Sequence, residues 1–147
     1  MLIIGCGNLQ RGDDGAGIIA AERLRPLGFE VQILSGEAAD LIEAWKSRDD
    51  VIAIDCVVTG AAVGTVYMWD TQCPLTDGSF AKSTHGFGLG EAMELARALD
   101  CLPPRLCVYG IEGRCFDVGG RLSREVQGAI AEVVNRISQT RPALKPL

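Results

Sequence analysis

Residues 51–58 read Val51-Ile52-Ala53-Ile54-Asp55-Cys56-Val57-Val58, an almost unbroken apolar run with one carboxylate inside it. So short a β-branched stretch, with no apolar/polar alternation, suits a strand covered on both faces, as at the centre of a parallel sheet between two layers of helices. Asp55 adds a second requirement. A carboxylate buried among Val and Ile is costly to desolvate, so the fold must bring it a cation or several hydrogen-bond donors.

The rest of the chain supplies strands and helices for such a sheet. Residues 1–5 form a short apolar run ending in glycine, and residues 14–24 place Ala16, Ile18, Ile19, Ala20 and Leu24 at helical intervals behind an acidic start. Residues 29–34 alternate Phe29, Val31 and Ile33 with Glu30 and Gln32, predicting a strand, and residues 38–46 follow as a helix with Leu41, Ile42 and Trp45 on one side. Residues 64–69 alternate again and are expected to run antiparallel to the 51–58 strand. Residues 71–84 carry Pro74, Asp77 and Gly78 without a period, which predicts a loop. A helix over 88–99, a strand over 105–111 and a closing helix over 123–137, with Ser123 and Glu125 at its start, complete the pattern.

This order predicts an α/β fold: a single-domain three-layer sandwich in which an open, mostly parallel twisted sheet carries helices on both faces, because parallel neighbours need right-handed crossovers. With 147 residues, 48% of them apolar, the chain has enough for one core and too little for a second domain. The domain is expected to fill residues 1–138, leaving 139–147, with Pro142 and Pro146, as a disordered tail. Ligands in such sheets gather at the carboxyl ends of the strands, so the loops after Gly5, Asp55 and Ile111 should converge there.

Charge and cysteine usage remove other classes. The net charge is −5 and no run of Lys or Arg exceeds a pair, so nucleic acid is not an expected partner. The apolar residues 1–4 meet Gly5 at once, without the basic start and long apolar core of a signal peptide, and no segment approaches the ~20 apolar residues of a membrane span. A cytoplasmic chain with no membrane partner is the expectation, and its six cysteines, none in a C-x-x-C pair, read as reduced thiols.

The loop after the first strand, Gly5-Cys6-Gly7-Asn8, imitates a dinucleotide fingerprint, but the third glycine of G-x-G-x-x-G would fall at Gln10. Two adjacent carboxylates, Asp13 and Asp14, then stand where a pyrophosphate needs the positive end of a helix. A nucleotide-binding α/β enzyme is thereby the weaker alternative. Asp13 and Asp14 could simply cap the helix, with Asp13 also a candidate general base. His85, the only histidine, lies between the long loop and a helix. Two carboxylates, Asp14 and Asp55, with this imidazole would make an oxygen-rich site suited to a divalent ion. Glu112 is expected to line the same cleft or pair with Arg105 or Arg114, and strand alternation sends the Cys56 thiol away from Asp55 into the core.

Four motifs in this order carry a resemblance: the glycine loop leading to Asp13-Asp14-Gly15, the strand Ile52-Ala53-Ile54-Asp55, the turn Thr84-His85-Gly86-Phe87, and Gly110-Ile111-Glu112 with the later Leu122-Ser123-x-x-Val126. Across residues 1–137 the sequence resembles the hydrogenase maturation endopeptidases. The resemblance implies a twisted sheet between helices and removal of a C-terminal peptide from the nickel-loaded precursor of the [NiFe]-hydrogenase large subunit. By position it implies Asp14, Asp55 and His85 as catalytic residues holding one divalent metal, with nickel supplied by the substrate. A non-cleaving module that binds the nickel-loaded precursor is the alternative within the same resemblance.

Overall fold

The computed structural model describes residues 1–71 and 89–140. Among them five strands and four helices follow in the order β1 (Leu2–Cys6), α1 (Ala16–Leu24), β2 (Glu30–Leu34), α2 (Ala38–Trp45), β3 (Asp50–Val57), β4 (Val66–Asp70), α3 (Leu89–Ala98), β5 (Arg105–Glu112) and α4 (Arg124–Thr140). Two short 3-10 turns, Gly12–Gly15 and Arg25–Leu27, flank α1.

The sheet order is β2-β1-β3-β5-β4. The first four strands of that order run parallel, and β4 closes the edge antiparallel to β5. The expected antiparallel strand is therefore present, but its neighbour is β5 rather than β3. The crossover through α3 lays β5 along the open edge of β3, with all eight residues in register from Asp50 opposite Arg105 to Val57 opposite Glu112. β4 then pairs with β5, starting where Gly64 donates to the Glu112 carbonyl and Glu112 to the Thr65 carbonyl.

Strand alternation divides the apolar residues between two layers. Ile3, Ile52, Ile54 and Ile111 pack with Leu24 of α1 and with Val126, Ile130, Val133 and Ile137 of α4. Leu2, Ile4, Val51, Ala53, Leu106 and Val108 pack with Leu41 and Trp45 of α2 and with Met93 and Ala96 of α3. Residues 51–57 are buried on both faces of the sheet, as their composition required.

Two boundaries differ from the sequence reading. Asp13 and Asp14 lie in the 3-10 turn, and the α-helix starts only at Ala16. At the other end α4 continues through Gln139 to Thr140, whose hydroxyl donates to the Ile137 carbonyl at 2.8 Å, so the expected tail boundary at 139 falls inside the helix. Most of the 71–84 loop, the turn containing His85, and residues 141–147 lie outside the described residues. Among the described residues no helix is long and apolar enough to cross a membrane.

Candidate functional site

The chain passes from β1 through α1 to β2 on one side, then returns through α2 to β3 on the other side of β1. Such a reversal opens a crevice at the carboxyl ends of β1 and β3. Four carboxylates collect at this edge: Asp13, Asp14, Asp55 and Glu112, none more than 3% exposed. All four act on one thiol. Burial first, and then Asp55, Asp14, Asp13 and Glu112 in that order, push Cys56 far above the usual thiol range.

Asp14 is placed from the backbone. Asn8 donates to its carbonyl at 3.1 Å, and Gly7, at φ 137°, passes so near that a Cβ there would sit 2.0 Å from the same oxygen. Only glycine allows that approach. Asp55, near the end of β3, accepts the Cys56 N–H at 2.8 Å through Oδ1. Its neighbours on the same face, Ala53 and Val57, pack in the layer of α2 and α3. The Cys6 thiol in that layer is raised by burial and then by Asp55, which puts the carboxylate beside the end of β1.

Asp13 does something else. Its Oδ2 accepts the N–H groups of Arg114 and Cys115, each at 2.9 Å, and the Ser123 hydroxyl at 2.7 Å, while Oδ1 accepts the Ser123 N–H at 2.7 Å. Burial alone would raise this carboxyl; the N–H donors of Cys115, Ser123 and Arg114 and the Ser123 hydroxyl outweigh it and hold it below its ordinary value. With four donors on two oxygens and its carboxyl held below the ordinary value, Asp13 is a weaker proton acceptor than a free carboxylate. No side chain caps the 3-10 turn or α1. Sequence reasoning missed this clamp, since its partners lie 101 to 110 residues away; the one visible trace was Ser123, read there as a helix cap.

Glu112 departs from its expected ion pair. Its carboxylate accepts the Thr59 N–H at 2.9 Å, the Thr59 hydroxyl at 2.6 Å and the Tyr67 hydroxyl at 3.2 Å. Arg114 turns outward to Glu125 at 3.8 Å. Glu112 ends β5 opposite Val57 and faces the 58–65 connection, where neutral donors reach it before any guanidinium does.

Cys56 packs with Ile54 and Ile111, as alternation predicted, and its raised titration keeps it a neutral thiol at physiological pH rather than a nucleophile. Among the described residues no group of three or more His, Cys, Asp or Glu side chains is assembled as a metal site. An open groove of about 460 Å³, lined by Gly7, Asn8, Gln10, Asp14, Ile18 and Ser35, gives access to Asp14. A smaller cavity of about 240 Å³, among Met1, Met68, Cys107 and Tyr109, contains none of the candidate site residues.

An open, mostly parallel sheet with buried carboxylates at its topological reversal defines an α/β domain whose candidate site lies among the loops at the carboxyl edge. Within that class the hydrogenase maturation protease family model, HycI, matches residues 25–140, and the chain belongs to this family. Asp55 and His85 lie inside the matched span and Asp14 precedes it. The hydrogenase expression/formation protein HupD of Thiocapsa roseopersicina is 28% identical over 141 residues, covering 91% of this chain; the chain spans 64% of that relative's length. HupD of Rhodobacter capsulatus is 29% identical over 148 residues, covering 93% of this chain and 70% of the relative. Among solved structures, the [NiFe] hydrogenase maturation protease HybD from Thermococcus kodakarensis superposes with a TM-score of 0.75 at 23% identity, covering 94% of this chain and 96% of that one. An endopeptidase from Escherichia coli gives 0.76 at 24% identity, covering 92% and 88%. At those identities the structures testify to a shared fold.

Proposed function

We propose that this protein is a cytoplasmic endopeptidase that removes the C-terminal peptide from the nickel-loaded precursor of a [NiFe]-hydrogenase large subunit. The observation that carries the reading is that Asp14 and Asp55, far apart in sequence, are both buried near the carboxyl ends of β1 and β3, each close enough to raise the Cys56 thiol. Family membership supplies the reaction class.

Asp14, Asp55 and His85 are the residues we assign to hold one divalent ion, the nickel carried by the substrate. The donor chemistry fits: two carboxylates concentrated at a dry strand edge favour a divalent cation, and an imidazole suits nickel. When bound, the ion supplies Lewis acidity toward the scissile carbonyl. The protein's own contribution is placement. Gly7 and Asn8 fix the turn that carries Asp14, β3 fixes Asp55, and the groove beside Asp14 admits the polypeptide. With such an ion held by Asp14, Asp55 and His85, the peptide bond beside it would be oriented by the protein, and such orientation is worth orders of magnitude in rate.

Asp14→Asn, Asp55→Asn and His85→Ala are each expected to lower precursor trimming at least a hundredfold while leaving far-UV circular dichroism unchanged. Mass spectrometry of the precursor's C-terminus reads the outcome. Trimming at wild-type rate by all three variants would sink the site assignment, and a precursor that binds wild-type protein but stays intact would leave a non-cleaving binding module.

A further inference from the structure

Among the described residues β2 is an edge strand, paired with β1 alone. The Leu34 carbonyl accepts the Gly7 N–H at 3.1 Å, so Leu34 turns its backbone groups toward β1, and Gln32 and Glu30 do the same by alternation. Val31 and Ile33 then turn their N–H and C=O groups outward. Among the described residues no backbone group meets them. The edge is apolar at Ile33, which is 37% exposed, and charged at its start, where Glu30 pairs with Arg48.

An open groove flanks the strand on one face, and a second opens beyond its carboxyl end. The second begins at Ser35, the residue after β2, and holds Arg11, Asp14 and Ile18. On the α2 face a groove of about 500 Å³ holds Gln32, Leu34, Asp40 and Ala44. A polypeptide laid along the outer edge would hydrogen-bond to Val31 and Ile33 and send alternate side chains to the two faces. Past Ile33 it would meet Ser35 and enter the Asp14 groove.

We infer that the outer edge of β2 receives an extended segment of the precursor as a sixth strand and leads its scissile bond to Asp14. The inference rests on the protease reading above and names how that substrate is gripped. Continuity selects the occupant, because Ser35, the first residue past the strand, lines the groove that contains Asp14. Charge agrees with it: of the charged residues lining the α2-side groove Glu43 pairs with Lys46 and Arg48 with Glu30, whereas Asp40 has no ion-pair partner among the described residues, so a neutral or cationic side chain is favoured there. The Glu30–Arg48 pair at the strand's start discourages indiscriminate edge pairing.

Ile33→Pro tests this directly, since it deletes one outward N–H and leaves the ladder to β1 intact. With the nickel-loaded precursor as probe, KM is expected to rise about tenfold with kcat within twofold of wild type. Ile33→Val, which keeps the N–H, is expected to change KM less than threefold. A proline walked along the precursor's extension, trimmed by wild-type protein, should weaken binding with a two-residue period; this arm stands even if Ile33→Pro misfolds. Unchanged KM in Ile33→Pro together with no two-residue period overturns the inference while leaving the protease reading intact. No trimming by wild-type protein removes the protease reading itself. A wild-type dimer in sedimentation that Ile33→Pro dissociates, with KM unchanged, assigns the edge to a second copy and also overturns the inference.

Discussion

Asp13 and Asp14 are adjacent and equally buried, yet the fold gives them different surroundings. Asp13 sits among donors from the chain after β5 and from the start of α4, so it ties the β1 loop to both. Asp13→Asn replaces an acceptor oxygen by a donor that faces other donors, at an expected loss of about 3 kcal/mol in urea unfolding. Its titration gives that loss a pH signature. The native carboxyl lies below its ordinary value of 3.8, so in that interval the unfolded chain binds more protons than the native one, and stability increases with pH. The stabilisation is complete above the ordinary value and disappears as pH falls through the native one. Melting temperature in the presence of a chelator should therefore drop below about pH 4 in wild type and drop less in Asp13→Asn. The two buried thiols offer an independent check on the acidic corner. Cys6 and Cys56 are raised by burial and by the neighbouring carboxylates, so both should resist iodoacetamide at pH 8 in the native state and react in urea, as read by peptide mass.

α1 is held to the sheet where Gly17 meets the ends of β1 and β3. A Cβ at Gly17 would lie 2.2 Å from the Ile54 carbonyl oxygen and 2.7 Å from that of Cys6, and neither backbone atom can yield without moving its strand. Alanine would gain about 1 kcal/mol of helix propensity. The clash wins: Gly17→Ala is expected to lose about 3 kcal/mol in urea unfolding and to impair trimming by lifting the turn that carries Asp14. The strands were legible because two-residue alternation and short apolar runs are local signals; β2 and β3 begin within one residue of their expected starts. The partner of β4 was not legible, since nothing in residues 64–69 records that β5 arrives later and takes the edge of β3. Asp55 could be singled out because desolvation penalises a carboxylate in such a run whatever the fold. Of the two readings of Glu112, the place at the sheet's carboxyl edge holds and the ion pair with Arg105 or Arg114 does not, because Thr59 and Tyr67 satisfy it with neutral donors. Asp13 was hidden by chain distance, as its donors converge only after β5 and α4 are in place.

The central strands contribute to both layers. Ile52 and Ile54 face α1 and α4, while Val51, Ala53 and Val57 face α2 and α3, and β1 divides Ile3 from Leu2 and Ile4 in the same way. Neither layer can lose its helices without exposing one face of strands that the other layer needs, so the two cores should unfold together. The chain carries its own reporter for this. Its two tryptophans, Trp45 and Trp69, both lie in the α2/α3 layer, so their fluorescence reads one side of the sheet while far-UV circular dichroism reads both. A cavity placed in the opposite layer makes the comparison decisive. Ile130 of α4 is fully buried there, and Ile130→Ala should destabilise by about 3 kcal/mol. The expected result is one urea transition with coincident fluorescence and dichroism midpoints, shifted equally by Ile130→Ala with an unchanged slope. A dichroism midpoint that falls while the tryptophan midpoint stays in place would mean that the layers melt separately and that the shared strands do not couple them.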